Sequence, residues 1–151
     1  NMSGIIGYML TWGTYGSWLQ GDRRGWVKDG AFRGGSRNIE RVNSAELLKE
    51  AVYLDKKQRE IVHEAITKWA RKEGQKVLAL SVGRCHVHLV LSNRGEHIGE
   101  LVGRCKIFCR KVLSKHDFCG RLWERGYDKR FCFDEVALQR RIRYVRKHNV
   151  I

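Results

Sequence analysis

The stretch Cys85-His86-Val87-His88-Leu89-Val90-Leu91-Ser92 decides how this chain folds. His86 and His88 alternate with Val87, Leu89 and Leu91, and a period of two is the signature of a strand whose successive side chains point to opposite faces. Both imidazoles therefore project from one face, while three aliphatic side chains line the other. Two histidines at i, i+2 on a rigid strand can share one divalent metal ion. A half-buried strand can also carry histidines with no such task, so the flanking sequence has to separate the two readings.

Working outward, Lys76 to Val82 reads as a buried strand, and Gly83-Arg84 turns directly into the histidine strand, which predicts an antiparallel hairpin. Downstream, Ser92 to Glu96 is a turn and Ile98 to Lys115 a helix. Leu101, Cys105, Cys109 and Val112 form its apolar side, and Arg104, Lys106, Arg110 and Lys111 its basic side. Leu122 to Phe133 is strand-like, kinked or bulged at Gly126. Asp134 caps a last helix running to about Asn149, with Glu135 in its first turn. Upstream, Ile5 to Trp12 is a first strand. A long helix spans roughly Asp55 to Glu73, with Ile61, Ala65 and Trp69 as its stripe and Gly74 as its stop. A shorter helix, capped at Asn43-Ser44, is expected through Tyr53. The order is β-α-β-β-α-β with one helix appended, an α+β ferredoxin-like antiparallel sheet.

At 151 residues the chain fits a single domain, 1–151, with no internal repeat and no proline. Between about 17 and 42 lies a Gly/Arg-rich insertion with no helical period, and loops that long are usually functional. Arg23, Arg24, Arg33, Arg37 and Arg41 interleave there with Trp18, Trp26 and Phe32, which suits phosphates and stacked bases of single-stranded nucleic acid. The 30 Lys and Arg against 16 Asp and Glu, a formal charge of +14, make nucleic acid the default partner. No apolar run spans a bilayer, and Asn1-Met2-Ser3-Gly4 opens no secretion signal, so no membrane partner and a cytoplasmic location are expected. The five cysteines are odd in number and lack any C-x-x-C pair, which argues against a disulfide framework or a zinc ribbon. Cys105 and Cys109 read as small buried residues.

On the last helix, Leu138, Ile142 and Val145 share the apolar stripe. Tyr144 and His148, at i, i+4, share the adjoining face. Arg140, Arg141, Arg143, Arg146 and Lys147 surround them, so the hydroxyl sits where phosphates collect.

Taken together, these features resemble the Y1 transposases of the HUH superfamily, and more closely the IS200-type and REP-associated tyrosine transposases. His86-Val87-His88 matches the family's His-hydrophobe-His motif. Tyr144-Val145-Arg146-Lys147-His148 matches its tyrosine followed four residues later by a third metal ligand, with His148 where relatives usually carry Gln or Asn. Thr11-Trp12-Gly13-Thr14-Tyr15-Gly16-Ser17-Trp18-Leu19 and Leu122-Trp123-Glu124-Arg125-Gly126-Tyr127 look like further segments of that family, and the resemblance covers nearly the whole chain. It implies a metal-dependent single-stranded DNA endonuclease and strand transferase. Tyr144 would be the nucleophile, and His86, His88 and His148 would hold one Mg2+ or Mn2+. The partner would be single-stranded DNA carrying hairpins, contacted by Arg23, Arg24, Arg33, Arg37, Arg104, Lys106, Arg110, Lys111, Arg140 and Arg141. Relatives of the IS200 type dimerise and can exchange the tyrosine helix, so a homodimer is one arrangement it allows. Two other readings stay open: a DNA-binding relative without catalysis, and a ferredoxin-like module for single-stranded RNA.

Overall fold

The computed structural model of the chain describes residues 4–17, 26–28, 31–33 and 51–148, with backbone alone for 26–28 and 31–33. Six strands and three helices follow in the order β1 (Gly7–Gly13), β2 (Trp26–Lys28), β3 (Ala31–Arg33), α1 (Lys56–Lys72), β4 (Val77–Val82), β5 (His86–Ser92), α2 (Ile98–Ser114), β6 (Asp128–Cys132) and α3 (Glu135–Lys147). Four strands make one antiparallel sheet in the order β4-β5-β1-β6. This is the expected ferredoxin-like arrangement, in which α1 and α2 each carry the chain past one strand to a parallel position.

Alternation along the strands splits the interior into two layers. Tyr8, Leu10, Trp12, Val87, Leu89 and Leu91 face α1 and α2, where Val62, Ile66, Trp69, Leu101, Cys105 and Leu113 close the main core. Met9, Ala79, Val90 and Cys132 face the other way and meet Leu138, Ile142 and Val145 of α3. Gly7 makes that second contact possible: a β-carbon there would stand 2.8 Å from a Leu138 methyl. The helix therefore lies directly on the strand, and the sheet face on which an RNA-binding module would stack bases is covered.

Each helix begins where a side chain caps it. Asp55 and Gln58 form a reciprocal capping box on α1. His97 caps α2 and Asp134 caps α3. Cys105 and Cys109 are free thiols fully buried in the main core, where a hydrogen bond to Cys109 and burial both push the Cys105 thiol pKa up.

Three expectations need correction. Residues 122–127 are not a strand; only Trp123 bridges to Thr14, and pairing resumes at Asp128. Gly126 sits at φ +87°, so of the two alternatives there the chain takes the kink, a left-handed turn, and not a bulge in a ladder. The Lys106 ammonium donates to the Glu124 and Gly126 carbonyls, satisfying backbone that a neighbouring strand would otherwise have used. Residues 51–55 are irregular, not the end of a helix, and the Val52 N–H donates to the Tyr15 carbonyl. Within the insertion, β2 and β3 pair antiparallel where no regular structure was expected. The capped start at Asn43-Ser44 lies outside the described residues.

Candidate active site on the covered face of the sheet

His88 is the centre of a row that runs across the sheet. Register places Ser81 of β4, His88 of β5, Thr11 of β1 and Asp128 of β6 side by side, on the face that α3 covers. The helix ends over this row. Its buried stripe, Leu138, Ile142 and Val145, fixes its rotation, which brings Tyr144 and His148 against the strand. The Tyr144 ring lies 5.7 Å from the His88 ring and 4.5 Å from that of His148, and the two imidazoles are 5.7 Å apart. The strand histidine and the helix pair thus meet within one chain, and Tyr144 remains 43% exposed, open to a substrate.

Hydrogen bonds orient both rings. The His148 Nδ1–H donates to the Tyr144 carbonyl at 2.8 Å, which leaves Nε2 with its lone pair. His88 Nδ1 meets the Thr11 hydroxyl at 2.9 Å, so Nε2 is again the nitrogen presented outward. Ser81 donates to the His148 carbonyl at 2.7 Å and ties the end of α3 to β4. Burial first, then the neighbouring His148 and His86 rings, lower the His88 pKa to about 4. The ring is neutral at pH 7, the form in which imidazole binds metal.

His86, two residues along, shares the face, and its Nδ1 lies 3.2 Å from the Cys85 sulfur. Among the described residues, no three His, Cys, Asp or Glu side chains converge as a ready metal cage. What fits is a pair: His88 and His148, each braced through Nδ1, as metal-bound imidazoles are.

The basic residues divide by layer. Arg140 and Arg141 precede Tyr144 by one turn on α3 and continue its ridge. Arg104, Lys106, Arg110 and Lys111 lie on α2, across the sheet. Arg104 forms a two-pronged pair with Glu73, and Arg110 donates to the Gly120 carbonyl and covers the Phe118 ring. With Lys106 on the 122–127 segment, these three have structural tasks, and Lys111 alone of the four lines an open groove. Arg23, Arg24 and Arg37 lie outside the described residues, as does the Arg33 side chain. Thr14, shortly before the insertion, and Val52, well after it, lie close to the start of β5. Thr14 bonds the Cys85 and Val52 carbonyls, and the Gly13 backbone approaches the His86 ring.

Tyr127 is on the other side altogether. Its ring packs on the main core, and its hydroxyl lies over Gly99 of α2. Sequence reasoning missed Thr11 and Ser81, which only the register between the strands places opposite His88.

No protein-family model matches the chain, and no curated protein matches it. Solved structures do. A REP-associated tyrosine transposase bound to a REP hairpin superposes with a TM-score of 0.54 at 11% identity, over 93% of this chain and 64% of that one. A candidate transposase from Deinococcus radiodurans aligns over 97% of this chain and 93% of its own, at 17% identity and a TM-score of 0.47. The present chain thus spans a little under two thirds of the hairpin-bound protein, and within that span it has the fold of the REP-associated tyrosine transposase.

Proposed function

We propose that this protein is a tyrosine transposase that cuts and rejoins single-stranded DNA. The observation that carries the reading is the meeting of an exposed Tyr144 with two braced imidazoles, His88 and His148, under a basic helix. The shared fold supports it, and the hairpin bound by the structural relative makes hairpin-bearing DNA the substrate class to try first.

Arg140 and Arg141 would seat the phosphate beside Tyr144 by charge-assisted hydrogen bonds. The Tyr144 Oη then attacks phosphorus in line with the 3′ oxygen. The Oη–P bond forms as the P–O3′ bond breaks. The phenolic proton leaves to water and the departing oxygen takes one up, giving a 5′-phosphotyrosine and a free 3′-OH. A second 3′-OH reverses the step and reseals the strand without ATP, because the covalent link has kept the bond energy. His88 and His148 would hold Mg2+ or Mn2+, with His86 on the same strand face a third donor only if its ring turned toward them, and the ion would polarise the phosphoryl oxygens and stabilise the leaving oxygen. Thr11 and the Tyr144 carbonyl keep the two ligating rings aimed. In this reading α3 brings Tyr144 and His148 to His88 of its own chain; a homodimer is a separate proposal.

The test is incubation with labelled single-stranded hairpin oligonucleotides and Mn2+, followed by denaturing electrophoresis. Labelled DNA should run with the protein, and the Tyr144→Phe variant should bind the oligonucleotide normally and carry no label. A native chain that binds but never becomes labelled would indicate a DNA-binding relative without chemistry.

A further inference from the structure

The charge that the tyrosine site does not use collects on the far side of the domain. Between α1 and α2 lies a groove of about 900 Å3. Lys57, Lys68, Arg71, Lys72, Lys111 and Lys115 edge it, with Glu64 as the one acid in its lining. All six cations are exposed, and among the described residues none is paired with a carboxylate. The floor is apolar and partly aromatic: Ile61, Ala65, Val112 and the half-buried Phe108, over whose ring the Lys72 ammonium stands 5.4 Å away. Elsewhere on α2 the cations are consumed by Glu73 and by backbone carbonyls, so the groove is where charge remains for a ligand.

We infer that this groove is a second binding site for single-stranded nucleic acid, separated from Tyr144 by the sheet. A row of unpaired cations over an aromatic floor is the chemistry that tracks a phosphodiester backbone while stacking a base. An acidic peptide would use the cations and leave the ring without a role. A duplex would meet the rim, but its stacked bases could not reach Phe108. The inference rests on the nucleic-acid reading of the protein and is independent of the tyrosine chemistry.

The probe is fluorescent oligodeoxythymidine, titrated over a range of salt against the full chain. Replacing Lys68, Arg71, Lys111 and Lys115 by Gln, a good helix former, should lower affinity at least tenfold and reduce the log–log salt slope by about 3, at ~0.7 for each phosphate neutralised. Phe108→Leu should weaken binding several-fold and leave the slope alone. Photo-crosslinking of the unaltered protein to an oligonucleotide bearing 5-iododeoxyuridine should label Phe108, whatever the variants do to folding. An unchanged slope with crosslinks elsewhere would overturn the inference. So would polyglutamate displacing the probe as well as oligodeoxythymidine does, or equal loss of binding to a duplex. Label transfer to Tyr144 on an oligonucleotide too short to reach the groove is read separately: its failure counts against the transposase reading and leaves the groove result standing.

Discussion

His88 shows how much one side chain has to satisfy. It is half-buried between two strands, oriented by Thr11, and near two other imidazoles, and burial is the main reason its pKa falls from 6.5 to about 4. A folded-state pKa below the unfolded value means that the unfolded chain binds the extra proton between pH 6.5 and pH 4. Metal-free stability is therefore complete above pH 6.5 and lost as pH falls toward 4. Urea unfolding should show the native protein about 1 kcal/mol less stable at pH 5 than at pH 7 from this group, the full shift being discounted for the solvent that screens a half-exposed ring, and His88→Gln should flatten that dependence. A pH slope that survives the substitution would place the effect elsewhere. Cleavage should disappear in His88→Ala and in His86→Ala, while filter retention of DNA stays nearly intact, because arginine and lysine contacts supply most of the affinity. Either variant cutting at the native rate would make that histidine structural. Thr11→Val keeps the shape and removes only the hydroxyl that aims His88. Activity should fall about 10- to 100-fold and recover partly at high Mn2+; a uniform loss at all metal concentrations would mean a folding defect instead. The shared face of the two strand histidines, and that of Tyr144 and His148, were legible in the sequence through spacing; the roles proposed for them came from the resemblance. Thr11 and Ser81 were not legible, because a hydroxyl among strand residues carries no signal until the register places it opposite an imidazole.

At the scale of elements, α3 is the part on which function turns. Its core stripe sets which face meets the sheet, and the Ser81–His148 bond fixes its last turn. Ser81→Ala should cost about 1 kcal/mol of stability by thermal or urea unfolding. It should slow adduct formation by more than it changes DNA binding, since the rings of Tyr144 and His148 would lose their common anchor. Equal rates in variant and native protein would show that the apolar stripe suffices. The three long helices could be read nearly to their ends because caps and stripes agree: Asp55 with Gln58, Gly74 after α1, and Asp134 before α3. The stretch from Leu122 to Tyr127 misled because Leu, Trp and Tyr favour strands. Here Trp123 is held by its ring N–H to the Lys106 carbonyl and by edge contact with Trp12, which are tertiary interactions that no local pattern encodes. The β2–β3 hairpin had a local signal, Asp29-Gly30 between Val27 and Phe32, that the surrounding glycines and arginines obscured.

The whole molecule is a sheet with two unlike sides. One side, under α1 and α2, is a conventional core with a basic groove on its outer surface. The other is a thin layer against α3 that gathers the histidine–tyrosine site. A formal charge of +14 was plain in the composition; its division between structural pairs, the groove and the tyrosine helix depends on which cations find carbonyls and carboxylates, and only the folded chain decides that. Replacing Arg23, Arg24, Arg33 and Arg37 by Ser should flatten the salt dependence of single-strand binding by about 0.7 for each phosphate no longer neutralised. An unchanged slope would assign the binding to the groove and to α3. The central claim is that Tyr144, and not Tyr127 on the opposite side of the sheet, forms the bond to DNA. Peptide mapping of the covalent adduct, formed with a labelled single-stranded hairpin and Mn2+ and digested to fragments, tests it most directly. The nucleotide should be found on the peptide carrying Tyr144, with Tyr127→Phe still forming the adduct; a nucleotide on Tyr127 would contradict the account.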